Sequence, residues 1–106
     1  MTASATAVVP TAQASRYLQQ LCKHWSHNLK VEFTPQEGTV LFPRDARGAD
    51  WSDDARLTLA VGPEALTCRI EASSDVHLGA MKEVVASHLD RFAFREAPLT
   101  FNWSAG

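Results

Sequence analysis

The chain has 106 residues, 45% of them hydrophobic and 21% charged, with a formal net charge of −2. That length suits one domain, which buries roughly 60–70% of its unfolded surface without disulfides or structural metals. Interspersed charges of both signs exclude a nucleic-acid footprint, and no apolar run nears the ~20 residues of a membrane span.

In chain order, the small and polar opening residues Met1 to Val9 lack the basic and long apolar regions of a signal peptide. They read as a disordered tail, 1–9, ahead of a single domain over 10–106. The two cysteines, Cys22 and Cys68, form no disulfide framework, and with no export signal the reading is reduced thiols in a cytoplasmic protein.

Periodicity of three and four over Ala14, Tyr17, Leu18, Leu21, Cys22 and Trp25 predicts an amphipathic helix from Thr11 to His27, with Thr11 as N-cap. The period then falls to two. Lys30–Thr34 and Thr39–Phe42 read as strands joined by the Pro35-Gln36-Glu37-Gly38 turn, and Pro43 ends the second. The charged run Arg44–Asp54 is a surface loop in which Trp51 folds back over the sheet edge. Ala55–Val61 and Leu66–Ala72 form a second hairpin about Gly62-Pro63.

Ser73-Ser74-Asp75 is a dense N-cap signal before a helix from Val76 to about Phe92, with Leu78, Met81, Val85, Leu89 and Phe92 as its apolar stripe. Pro98 stops it. Leu99, Phe101 and Trp103 then alternate as a fifth strand. The pattern specifies an α+β two-layer sandwich: an antiparallel four- to five-stranded sheet with two helices, in the order α-β-β-β-β-α-β.

Four histidines raise a metal hypothesis. His24 and His27 lie three apart on the first helix, and Cys22 completes a Cys-x-His-x-x-His string. At roughly 100° per residue Cys22 points ~160° away from His24, into the apolar stripe, so the metal candidates are His24 and His27, borrowing His88 or His77 for a further ligand. His88 stands at the edge of the second helix's stripe, on the flank that carries His77, Arg91 and Arg95. Arginine forks beside an imidazole suit a carboxylate or phosphate, and Glu96 could hold one arginine in place. No nucleophile elbow, phosphate-cradling glycine loop or HExxH motif is present, and no resident cofactor is implied.

The strings Ala14-Ser15-Arg16-Tyr17-Leu18, Leu21-Cys22-Lys23-His24-Trp25 and His88-Leu89-Asp90-Arg91-Phe92-Ala93-Phe94-Arg95-Glu96, with Phe42-Pro43 between them, resemble a bacterial family of roughly hundred-residue proteins of unknown function. The resemblance runs from about Pro10 to Trp103. Some relatives carry the name of a dihydroxyheptenedioate aldolase, an activity that needs a barrel-sized, metal-dependent enzyme. Association with siderophore and iron-uptake genes implies an iron-linked accessory role. Cys22, Lys23, His24, His27, His88, Arg91, Arg95 and Glu96 are the residues the resemblance marks, whereas the Arg44–Asp54 loop is longer than the family's compact turn.

The leading expectation is therefore a small non-enzymatic binding or accessory protein for an anionic ligand or metal chelate. His24, His27, His88, Arg91, Arg95 and Glu96 are its candidate ligand-binding residues. The alternatives are a small lyase or hydrolase with His88 as acid/base, and a structural, self-associating protein. A homodimer fits the last; neither nucleic acid nor membrane is an expected partner.

Overall fold

A computed structural model of the chain describes residues 3–44, 51–93, 99 and 101–105. Its elements are β1 (Ala3–Pro10), α1 (Ala14–Ser26), β2 (Lys30–Phe33), β3 (Glu37–Phe42), β4 (Ala55–Val61), β5 (Ala65–Ala72), α2 (Asp75–Phe92) and β6 (Ser104–Ala105). They build an α+β fold with a six-stranded antiparallel sheet in the order β2-β3-β4-β5-β1-β6.

The two central hairpins follow from the alternation of their sequences. Register pairs Val40 with Leu57, Leu57 with Ile70 and Leu59 with Cys68, so each inward residue has an inward neighbour on the next strand. All of these are fully buried. Helix α1 lays Tyr17, Leu18, Leu21, Cys22 and Trp25 onto this face, and α2 adds Leu78, Met81, Val85 and Leu89. Full burial of each Leu or Val is worth ~1.5–3 kcal/mol, so this one layer contains most of the driving force. Both helices occupy the same side, and among the described residues no helix lies over the other face of the sheet.

The expected disordered tail over 1–9 is corrected from Ala3 onward: Ala3–Pro10 form β1, paired with β5 from Ala3↔Ala72 to Pro10↔Ala65, while Met1 and Thr2 lie outside the described residues. Ala5, Ala7 and Val9 point inward and are buried. Alanine has weak strand propensity, and Ala3, Ala5, Ala7 and Val9 alternate with Ser4, Thr6 and the exposed, apolar Val8, so the stretch carries little local signal. The unpaired edge of β5 supplies the ladder that organises it. Among the described residues the sheet therefore has six strands rather than four or five, and the order opens with a strand.

Two boundaries also move. Helix α1 begins at Ala14 with Gln13 at the N-cap, because Thr11 is committed elsewhere: its Oγ1 accepts from Gln13 N at 3.0 Å and its own N–H donates to Glu64 O. The expected fifth strand at Leu99–Trp103 is replaced by the two-residue β6, paired with β1. That segment is held to α2 by its side chains. Leu99 N donates to Asp90 Oδ1 at 3.1 Å, and Lys82 Nζ lies 5.8 Å from the Trp103 ring centroid. At the start of α2, Ser74 is the N-cap and its Oγ accepts from His77 N at 3.1 Å, as the sequence signal requires.

Candidate functional site

The helices α1 and α2 meet through a cluster of rings. His24 from α1 and His88 from α2 lie with centroids 5.5 Å apart. Trp25 is 5.3 Å from His88 and in edge contact with Phe42 at 5.2 Å, while Phe92 meets His24 edge-on at 5.6 Å. Helical spacing explains the convergence. Trp25 sits on the apolar stripe of α1 and His24 on its margin; His88 and Phe92, four apart, share the facing flank of α2.

His88 is 8% exposed, and its Nδ1 is 2.7 Å from Val84 O. A carbonyl only accepts, so Nδ1 carries the proton and donates. In the neutral ring this leaves Nε2 with its lone pair, the tautomer that ligating and basic histidines use. His24 is exposed on the same junction.

The other sequence candidates divide. His27 and Arg91 are exposed, Arg91 one turn beyond His88 on α2. Arg95 and Glu96 lie outside the described residues. His24 and His27 share a helix surface, yet among the described residues no group of three His, Cys, Asp or Glu side chains converges as a metal site. Cys22 is fully buried against the sheet, and burial pushes its thiol up to about 11. Cys68, under the same desolvation, is pushed up to about 12. Both thiols are held in the protonated form at neutral pH and sealed in the core, where they pack as small hydrophobes.

His77, read from the sequence as sharing His88's flank, belongs to a separate cluster at the N-terminus of α2. His77 is 1% exposed, and its ring stacks on Trp51 with centroids 4.4 Å apart and planes 6° from parallel. The Ser73 backbone N–H donates to His77 Nδ1 at 3.2 Å, and the Ser73 hydroxyl lies 2.8 Å from the same nitrogen. Nδ1 is thus an acceptor and the neutral ring carries its proton on Nε2. Sequence reasoning placed Trp51 over the sheet edge and missed this pairing. Its signal was the spacing of Ser73 and His77, four apart across a helix start.

Desolvation by burial lowers the His77 pKa below its ordinary value. The unfolded chain then binds more protons than the folded one between the depressed folded pKa and ~6.5. The stability tied to neutral His77 is complete above ~6.5 and is lost as pH falls through the folded value. We expect the urea midpoint to drop on acidification from pH 7.5 to pH 5, and His77→Gln to drop less over that interval. Equal acid sensitivity in the variant would remove His77 from the explanation.

Comparison with known proteins bears on the family and the fold. None of the curated proteins matches the chain. The NMR structure of PA4090 from Pseudomonas aeruginosa is similar over 95% of this chain and 94% of that one, with 31% identity and a TM-score of 0.71. The family model described as "Uncharacterized protein conserved in bacteria (DUF2218)" matches residues 6–104. On that match, which takes in both helices and nearly the whole sheet, the chain belongs to this bacterial family.

Proposed function

We propose that the protein is a small non-enzymatic binding or accessory module that takes an anionic ligand or a metal chelate at the junction of α1 and α2. The observation that supports this most is the approach of His24 and His88, from opposite ends of the chain, to a centroid separation of 5.5 Å. Two imidazoles so placed offer nitrogen donors to a chelated metal or, when protonated, charge-assisted bonds to an anion. The Nδ1–H anchor on Val84 O orients the His88 ring, and Trp25 and Phe92 supply flat apolar walls for a planar ligand. Arg91 stands beside the junction as a carboxylate or phosphate partner.

The narrower form of the proposal takes a ferric siderophore as the chelate, an identity that comes from the family resemblance. The enzymatic alternative makes the His88 Nε2 lone pair the acid/base and Arg91 the clamp.

Thermal unfolding with zinc, ferric citrate, citrate and inorganic phosphate tests the reading. A ligand at 100 times its dissociation constant stabilises by ~2.7 kcal/mol, and that increment should vanish in His24→Ala and His88→Ala. If no probe raises the melting temperature and His88→Ala alters only the baseline stability, the junction is a structural contact and the proposal fails.

A further inference from the structure

The face of the sheet opposite the helices carries its own pattern. Register aligns its outward residues in three rows across β2 to β5. The first reads Lys30, Leu41, Arg56, Glu71; the second Glu32, Thr39, Thr58, Arg69. The third holds Glu37, Ala60 and Thr67. Within the chain Glu71 is paired with Arg69 two residues away and stands directly opposite Arg56.

We infer that this face docks a second copy of the same chain, sheet to sheet, about a two-fold axis running along the strands between β3 and β4. Such an axis keeps rows in register and exchanges β2 with β5 and β3 with β4. Lys30 of one copy then faces Glu71 of the other, Glu32 faces Arg69, and Thr39 faces Thr58. Every contact occurs twice, and no like charges meet. An axis on β3 would instead set Lys30 over Arg56, one on β4 would set Arg56 over its own copy, and one between β4 and β5 would keep only the Arg56–Glu71 pairs, so the axis between β3 and β4 brings the most opposite charges together.

The geometry suits the way sheets stack. Rotation about the strand direction leaves the two sets of strands aligned, and twist offsets them by about 30°. At the flanking strands that offset amounts to a few ångströms, within reach of Lys, Arg and Glu side chains. The surface also has relief where the partner must enter. Lys30, Glu32, Thr39, Leu41 and Arg56 line a shallow concavity of about 190 Å³, and the proposed axis places the Arg69 and Glu71 side chains of the second copy over it. Four strands ~4.8 Å apart and three rows ~7 Å apart bury about 400 Å² per copy, below a standard interface. The dimer is accordingly a weak one, held by charge and dependent on salt. The docking face lies on the opposite side of the sheet from the helix junction, so dimerisation and ligand binding at that junction are independent of each other.

Sedimentation equilibrium of the full chain at ~0.1–1 mM and low salt should show monomer and dimer in exchange, shifting to monomer at ~0.5 M salt. Glu32→Arg and Arg69→Glu should each weaken association at least tenfold, and the chain carrying both should regain it, because the exchanged charges face each other again. Dilution of the wild-type chain, followed by backbone amide shifts, should perturb outward residues of β2 to β5 and leave α1 and α2 unmoved. A wild-type chain monomeric at ~1 mM, a double variant as weak as the singles, or dilution shifts confined to the helices would each overturn the proposal.

Discussion

Removal of residues 2–10 is expected to abolish cooperative unfolding. β1 pairs with β5 along its whole length and buries Ala5, Ala7 and Val9 in the same core as Leu66, Cys68 and Ile70. Burying Val9 is worth ~1.5–3 kcal/mol, and each ladder hydrogen bond adds ~1 kcal/mol net. Loss of the strand also opens the β5 edge and uncovers one side of the α2 contact. The total exceeds ~4 kcal/mol, a large part of the 5–15 kcal/mol that holds a domain together. Urea titration followed by tryptophan fluorescence reads this directly. A dispensable tail would leave the midpoint unchanged, and that outcome would contradict the strand assignment.

The second large effect is expected at Gly38, where β3 passes under α1. A Cβ built there lies 2.8 Å from Cys22 Sγ and 3.1 Å from Phe33 Cβ. Phe33 is its ladder partner, so that neighbour cannot yield without moving β2. Cys22 is fixed by the buried face of α1. Overpacking of this kind costs ~1–3 kcal/mol, and for a domain of this size each kcal/mol lowers the melting temperature by about 4–8 °C. Gly38→Ala should therefore lower it by roughly 5–20 °C, and Gly38→Val by more. Combining Gly38→Ala with Cys22→Ala should recover part of the loss, as a double-mutant coupling of about 0.5–3 kcal/mol. Strict additivity of the two changes would show that the helix does not press on the strand at this point.

These two positions also mark the boundary between what is legible in a sequence and what is not. Both hairpins and both helices could be read because their inward residues are large and repeat with an unmistakable period, as in Leu57, Leu59 and Leu66, Cys68, Ile70. β1 could not be read so. Its inward residues are mostly alanines, and its structure depends on an edge presented by a strand some sixty residues later. Gly38 looked like a turn residue beside Pro35 and Glu37. In the structure it is a strand residue whose missing side chain lets α1 approach the sheet.

The candidate site shows the same division. Sequence reasoning selected His24 and His88 from helical margins and motif resemblance, and the fold brings those two rings together. It also grouped His77 with His88 by helix flank. The eleven-residue separation, about three turns or ~16 Å along α2, sends His77 to Ser73 and Trp51 instead.

By itself, then, the sequence determined the fold class, the two helices, the two central hairpins and the buried, unreactive character of Cys22. Those follow from local periodicity and from hydrophobic side chains that must leave water. Only the tertiary structure decided that β1 completes the sheet, that His24 meets His88 while His77 does not, and that one face of the sheet stays clear of both helices. Each of these rests on contacts between residues distant in the chain, and their geometry exists only once the helices have packed and the strands have taken their register.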